Sequence, residues 1–203
     1  TKTDVANIDS DGHILILHPG VTTIKAEIYS GSQFIMSKTC SLTVVVPNGV
    51  YYIKNKGNQY IADLRGGLIN EGNPIQTWAP PSGHPSTTNQ LFKIEHIGSG
   101  EYTIRCMVKS DMGFTRSGTN LLNKTISGSI QSEARWVIKS DENGYYIYSL
   151  GYPSTRIITA SQSSTSGEQI TLGSYSSGNN YQHWTLTRSY NTYNGVILQN
   201  PLN

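Results

Sequence analysis

A short motif that ends in an aromatic residue occurs three times in this chain and limits the folds that it can adopt. Its clearest copy is residues 181–184 (Tyr-Gln-His-Trp), and earlier copies stand at residues 89–92 (Asn-Gln-Leu-Phe) and 133–136 (Glu-Ala-Arg-Trp). The interval is about 45 residues, which is a common length for a structural repeat. Such repeats indicate that one supersecondary unit is copied and that the copies complete a common core.

A second marker recurs at a similar interval. A glycine followed by a tyrosine-rich run occurs at residues 49–53 (Gly-Val-Tyr-Tyr-Ile), 100–104 (Gly-Glu-Tyr-Thr-Ile) and 144–148 (Gly-Tyr-Tyr-Ile-Tyr). Aromatic and β-branched residues between turn-forming residues are typical of strands. The sequence therefore predicts an all-β domain built from three units.

Three such units resemble the β-trefoil of the ricin B-chain lectin family, over residues 49–188. In that family each competent unit binds a sugar in a shallow pocket. An Asp accepts hydrogen bonds from hydroxyl groups, an aromatic ring supports the C–H face of the sugar, and polar residues complete the contacts. The resemblance assigns these carbohydrate-binding roles in the first unit to Asp63, Gln76, Trp78, Asn89 and Gln90.

Each of these residues also has a structural interpretation. Asp63, with Gly66 and Gly67 close behind it, is suited to closing a turn, and Trp78 to anchoring a core or a loop. Asn89 and Gln90 are suited to bonding turn backbone. The spacing leaves Ala62 as an alternative to Asp63, although the two glycines favour Asp63.

The second and third units keep the framework and lose the polar set. The third unit has Thr159 where the resemblance implies an Asp and Gly173 where it implies an aromatic residue. The second unit has no Asp-Gly-Gly equivalent and carries residues 113–116 (Gly-Phe-Thr-Arg) instead. We expect Trp136 and Trp184 in the core, and a sugar site in the first unit alone.

Residues 1–46 contain three strand-like segments separated by Asp-Gly, Pro-Gly and Ser-Gly turns. Their order resembles the second half of a bacterial Ig-like domain of the invasin and intimin type. This implies a partial β-sandwich, with an apolar face and an unpaired edge left uncovered. Asp9 and Asp11 are expected to form a turn rather than a calcium loop, because His13 and Gly20 stand where such a loop needs oxygen ligands.

Composition argues against several other functions. The formal charge is +2 with no basic block, so we expect no nucleic-acid partner. No apolar run approaches the roughly 20 residues that span a bilayer. Cys40 and Cys106 are expected to be two half-buried thiols without a disulfide. No nucleophile elbow, phosphate loop or pair of carboxylates supports catalysis. We interpret the acidic pair Asp141-Glu142 as part of a solvated loop. Neither a cofactor nor a metal is expected.

The sequence thus predicts a non-enzymatic glycan-binding chain, with galactose-type sugars as the commonest ligands of the family it resembles. Residues 1–46 would be the partial Ig-like domain, residues 49–188 the β-trefoil, and residues 189–203 a linker. The chain would serve a larger secreted or surface bacterial protein whose catalytic or surface domain lies outside it. The alternative is a spacer or protein-interaction module that has lost sugar binding.

Overall fold

The computed structural model describes residues 5–80 and 88–189, and these residues form sixteen β-strands and four short 3-10 turns. The strands before the repeats are β1 (Ala6–Ile8), β2 (Ile14–Ile16), β3 (Gly20–Ser30) and β4 (Gln33–Val44). The first unit contains β5 (Gly49–Asn55), β6 (Ile61–Leu64), β7 (Asn73–Trp78) and β8 (Phe92–Gly98). The second contains β9 (Glu101–Cys106), β10 (Met112–Ser117), β11 (Asn120–Thr125) and β12 (Trp136–Asp141). The third contains β13 (Gly144–Ser149), β14 (Ile157–Thr159), β15 (Thr171–Gly173) and β16 (Trp184–Arg188).

The first and last strands of each unit close a six-stranded antiparallel barrel. The pairs follow one another around it as β5–β8, β8–β9, β9–β12, β12–β13, β13–β16 and β16–β5. Closure leaves no free edge in this ring of strands, so the barrel offers no template for pairing with another chain.

The two middle strands of each unit form a hairpin that covers one end of the barrel. These hairpins are β6–β7, β10–β11 and β14–β15, and β11 also pairs with both β7 and β15. Each unit therefore supplies the same four-stranded element, and each hairpin depends on its neighbours. The predictions of an all-β fold and of three repeats are confirmed.

The recurrent aromatic residue of each unit lies in the core. Phe92, Trp136 and Trp184 are completely buried. The indole Nε1 of Trp136 donates to Phe114 O at 3.0 Å, and that of Trp184 donates to Ile158 O at 3.1 Å. Because a buried carbonyl needs a donor, these bonds tie the cap hairpins of the second and third units to the barrel. The core assignment of both tryptophans is confirmed.

The segment before the repeats forms two separate hairpins. β1 pairs with β2, β3 pairs with β4, and each pair is its own two-stranded sheet, so the predicted half of an Ig-like sandwich is not confirmed. Apolar side chains on the β3–β4 hairpin are exposed, including Ile28, Phe34 and Ile35. The segment reaches the barrel through Val46, whose backbone N–H donates to the Tyr102 hydroxyl at 2.8 Å.

Several predictions at the edges of the domain have different outcomes. Cys40 is exposed and Cys106 is buried, so the prediction of two half-buried thiols is wrong. Burial raises the pKa of Cys106 to about 12.

The predicted linker lies outside the described residues except for Ser189, which is buried and donates its backbone N–H to Val50 O at 2.8 Å. Within the described ranges, no helix is long and apolar enough to cross a bilayer.

Candidate functional site

A cleft of about 590 Å³ lies over the β6–β7 hairpin of the first unit. The structure brings together in its lining all of the residues that the sequence nominated: Asp63, Gln76, Trp78, Asn89 and Gln90. They come from three places in the chain, since β6 supplies Asp63, β7 supplies the next two residues, and a 3-10 turn (Thr88–Gln90) supplies the last two. Their role in binding remains a prediction.

Strand alternation decides which residue of β6 faces the cleft. Ala62 and Leu64 are fully buried members of the hydrophobic core. Successive side chains of a strand point to opposite faces, so Asp63 turns away from that core. The alternative that placed Ala62 at the site is therefore wrong.

Two amide groups hold the Asp63 carboxylate in place. Gln76 Nε2 donates to Asp63 Oδ1 at 2.8 Å, and Asn89 Nδ2 donates to Asp63 Oδ2 at 2.7 Å. An ionised carboxylate can accept about four hydrogen bonds, so it retains capacity for further donors. Asp63 is thus an oriented acceptor at the base of the cleft.

Burial shifts the titration of this acceptor. It raises the pKa of Asp63 above its ordinary value, and the amide groups of Gln76 and Gln90 oppose that rise. The charged form is disfavoured because most of the side chain has been removed from water. Hydroxyl donors from a ligand would stabilise the charge that the protein only partly compensates.

Trp78 forms the apolar side of the cleft. It ends β7 opposite Ile61 in β6, and 45% of its surface is exposed, so the interpretation of Trp78 as a core residue is wrong. Gly167 lies against its ring: a Cβ built on this glycine would stand 3.0 Å from Trp78 Cζ3. The glycine has a φ of +94°, a left-handed conformation that favours a residue without a side chain. The ring is therefore a supported, half-exposed flat surface.

The third unit shows what the repeated glutamine does. Gln182 Nε2 donates to Ser174 O at 2.7 Å and to Thr159 Oγ1 at 3.2 Å, and its Oε1 accepts the backbone N–H of Ser176 at 2.9 Å. The residue thus ties a loop to the cap hairpin. Gln90 holds the corresponding place two residues before Phe92 and is only 2% exposed. We assign Gln90 to positioning the site rather than to its surface.

Sequence reasoning missed Arg65 and Gly167, which also line the cleft. Arg65 Nε donates to Gln76 Oε1 at 2.9 Å, and Arg65 Nη2 donates to Gly167 O at 3.1 Å. The position of Arg65, two residues after Asp63, could have indicated that it lines the same cleft. Gly167 gave none, because it belongs to the third unit and reaches β7 only in the folded chain.

Backbone hydrogen bonds hold residues 167–169 of the third unit against β7 of the first. Gly167 N–H donates to Thr77 O at 2.7 Å, and Thr77 N–H donates to Glu168 O at 2.9 Å. Gln169 forms an antiparallel bridge with Gln76. One wall of the first-unit cleft is therefore a strand-like segment of the third unit.

The third unit lacks this arrangement. In β14–β15, Thr159 pairs with Thr171 and Ile157 pairs with Gly173, which places Thr159 at the position of Asp63 and Gly173 at that of Trp78. The Thr159 hydroxyl donates to Ile157 O at 2.8 Å. Neither a carboxylate nor an aromatic platform stands at these positions of the third unit.

Two acidic groups outside the cleft are structural. Asp9 Oδ1 accepts the backbone N–H groups of Asp11 and His13 at 2.9 and 2.8 Å, which forms the turn that the sequence predicted. Ligand atoms of these three exposed residues lie within 4.8 Å of one another, which makes them the one group of three among the described residues that is close enough to hold a metal ion. Asp141 accepts from His183 Nε2 at 3.0 Å, so the interpretation of this acid as a solvated loop residue is wrong.

Comparisons with known proteins support the fold. No family model and no curated protein matches the sequence. The designed three-fold symmetric protein ThreeFoil is similar at a TM-score of 0.60 and 18% identity, over 70% of this chain and 99% of that one. The Rhizoctonia solani agglutinin gives 0.57 and 17%, over 73% and 100%. The C-half of the earthworm R-type lectin, in complex with GalNAc, gives 0.55 and 19%, over 70% and 100%. These likenesses show that residues of this chain adopt the β-trefoil fold of such lectins.

Proposed function

We propose that this chain binds carbohydrate, without catalysis, through the cleft of its first unit. The observation that carries the proposal is a buried carboxylate, fixed by two amide donors, beside a half-exposed tryptophan. This pairing suits a sugar, which has hydroxyl groups around its edge and apolar C–H groups on its face.

The two sides of the cleft would contact different parts of the sugar. Asp63 would accept hydrogen bonds from neighbouring hydroxyl groups, and a charged acceptor makes stronger bonds than a neutral one. Trp78 would support the C–H face, because its ring offers a large rigid surface at low conformational cost. Gln76, Asn89 and Gln90 would hold the carboxylate in the accepting orientation.

Binding of a single sugar would be weak. At about 0.3 kcal/mol per heavy atom, a monosaccharide of about twelve such atoms gains roughly 4 kcal/mol, which is a millimolar dissociation constant. Longer glycans or several tethered copies would raise the avidity by orders of magnitude.

We further propose that the chain is an accessory module of a larger secreted or surface protein. Support comes from similar structures that are parts of longer chains. The mosquitocidal holotoxin matches over 19% of its length, and the exo-β-1,3-galactanase 1,3Gal43A of Clostridium thermocellum over 37% of its length and 91% of this chain. Galactose-type sugars are the first ligands to test, since the earthworm lectin is complexed with GalNAc.

The alternative is a spacer or protein-interaction module. Two observations favour it: two of the three units lack the polar set, and the β3–β4 hairpin exposes apolar side chains such as Phe34 and Ile35. The two functions differ in whether substitution of Trp78 changes the binding of any glycan.

A glycan array probed with the chain in multivalent form tests the proposal. Wild type is compared with Trp78→Ala and with the control Tyr152→Ala, which removes another aromatic residue that is 41% exposed and lies outside the cleft. We expect a set of glycans bound by wild type and by the control but not by Trp78→Ala. A folded, multivalent wild type that binds nothing would refute carbohydrate binding and favour the spacer.

A further inference from the structure

Arg65 is the one basic side chain among the described residues that line the cleft. Its backbone is fixed, because Asn73 Nδ2 donates at 2.8 Å to both Arg65 O and Leu68 O. The turn continues through Gly66 and Gly67 in left-handed conformations, with φ of +63° and +66°. The chain thus returns toward Asn89 directly after Arg65.

The guanidinium is fixed as well. Its Nε and Nη2 atoms donate to Gln76 Oε1 and Gly167 O, which holds the planar group between β7 and the third-unit wall. A guanidinium has five N–H donors and no acceptor. Two donors are used by these contacts, and the other three have no partner within the described ranges.

Arg65 also forms no direct ion pair with a carboxylate among the described residues, and Gln76 separates it from the Asp63 carboxylate. Arg116 and Arg135 have carboxylate partners, Glu133 at 3.4 Å and Glu101 at 3.3 Å. For Arg65, by contrast, no carboxylate oxygen of the described residues lies within 4.0 Å, and the Asp63 oxygens accept from amide groups instead. A fixed cation with free donors is a receptor for an anion, because little side-chain entropy remains to be lost on binding.

From this arrangement we propose that the cleft prefers glycans that carry an acidic group, either a carboxylate or a sulfate ester, which Arg65 binds while Asp63 accepts hydroxyl groups of the same glycan. The inference rests on the proposed function of the cleft and names its ligand class. Arg65 acts as the specificity-determining residue, and Trp78 and Asp63 supply binding that neutral and acidic sugars share.

The size of the preference follows from exposure. Arg65 lies at the surface, where an ion pair contributes at most about fivefold in affinity. The preference should shrink as salt rises, since the Debye length falls from about 10 Å at 0.1 M to about 3 Å at 1 M.

The test measures dissociation constants by ligand-observed NMR with sugars that differ only at C6. One series is galactose, galacturonic acid and galactose 6-sulfate, and the other is glucose, glucuronic acid and glucose 6-sulfate. The proteins are wild type, Arg65→Gln, Arg65→Lys, and the control Lys38→Gln, which removes one charge from the exposed β4 strand outside the cleft.

We expect wild type and Lys38→Gln to bind an acidic sugar about fivefold tighter than its neutral partner at low salt. Arg65→Gln should lose this ratio whatever its effect on the affinity for the neutral sugar, and Arg65→Lys should keep part of the ratio. A preference for the carboxylate or for the sulfate alone would identify the source of the anion.

Three results would overturn the inference. Equal binding of neutral and acidic sugars by wild type would refute the preference while leaving carbohydrate binding intact. An equal loss of both classes in Arg65→Gln would show that Arg65 only positions Gln76. Absence of binding by any sugar, in these series and on the array, would refute the proposed function together with the inference.

Discussion

Gln76 and Asp63 stand directly opposite each other in the β6–β7 hairpin, and the Gln76 amide donates to the Asp63 carboxylate at 2.8 Å. Cross-strand partners on one face of a sheet have neighbouring Cβ atoms, so the pair is set by the register of the hairpin. The acidic group at the base of the cleft is therefore fixed by the same strand pairing that builds the cap.

Removal of the carboxylate should affect both binding and stability. In Asp63→Ala, the amide donors of Gln76 and Asn89 lose their acceptor, which should lower the free energy of unfolding by about 1–3 kcal/mol. Glycan binding should fall below detection. Urea denaturation and the multivalent array measure the two effects.

The control for this variant is Asp111→Ala, which removes an exposed acid that pairs with Lys109 at 3.6 Å. It should change the free energy of unfolding by less than about 0.5 kcal/mol and leave glycan binding unchanged. Retention of binding by Asp63→Ala would contradict the assigned role of this carboxylate.

Acid should weaken binding of a neutral glycan. Because the pKa of Asp63 is raised in the folded protein, the carboxylate takes up a proton at a pH above its ordinary value of 3.8. Protonation removes the charged acceptor, so affinity should fall as the pH drops through that raised pKa. Titration of binding against pH measures the midpoint, and a midpoint below 3.8 would contradict the prediction.

The same shift predicts the opposite direction for stability. Ionised Asp63 is less favourable in the folded state than in the unfolded state, and this cost is relieved as the pH falls from above the raised pKa toward 3.8. The stability of wild type relative to Asp63→Asn should therefore rise over that window. Denaturation of both proteins at a series of pH values tests the sign.

Gly167 should control the orientation of the Trp78 ring. In Gly167→Ala, the added methyl group would meet Trp78 Cζ3 at 3.0 Å, so the ring must move and glycan affinity should fall several-fold. The left-handed backbone adds a loss of about 1–2 kcal/mol in the free energy of unfolding.

A matched variant separates these effects. Gly178 has a similar φ of +78°, and nothing lies within 4 Å of a Cβ built on it. Gly178→Ala should therefore lose a similar amount of stability and bind glycans as wild type does. Equal binding by both alanine variants would show that the contact between Gly167 and Trp78 is unimportant.

Asp141 should stabilise the third unit through His183. Both ring nitrogens of this fully buried histidine lie within hydrogen-bond distance of an oxygen, Nδ1 at 2.9 Å from Asn179 O and Nε2 at 3.0 Å from Asp141 Oδ2. Tyr175 also donates to Asp141 Oδ2, at 3.1 Å. Asp141→Asn should lower the free energy of unfolding by about 1–3 kcal/mol at neutral pH.

The pH dependence of that loss follows from the titration of Asp141. Burial acts to raise the pKa of Asp141, but the hydrogen bonds from His183 and the Asn143 backbone outweigh it, and the pKa is lowered. This stability is present above pH 3.8 and is lost as the pH falls through the lowered pKa. The gap between wild type and Asp141→Asn should close over that window, whereas the control Glu142→Gln should show no gap.

The sequence by itself determined the repeated unit and most of the cleft. The interval between Phe92, Trp136 and Trp184 predicted three units, and the expected burial of Trp136 and Trp184 is observed. Resemblance to the ricin B-chain lectin family assigned Asp63 and Trp78 to one site, and the structure brings them together because both lie on the β6–β7 hairpin.

Only the tertiary structure decided what the rest of the chain contributes. Packing of the third unit against the first brings Gly167 against Trp78 and gives Arg65 Nη2 an acceptor. Among the described residues, three further N–H donors of this guanidinium have no partner. The tertiary structure also shows that β3 and β4 form a separate, exposed hairpin, and it does not confirm a sandwich. Contacts of this kind join residues far apart in sequence, and the alternation within a strand carries no record of which distant strand will pair with it.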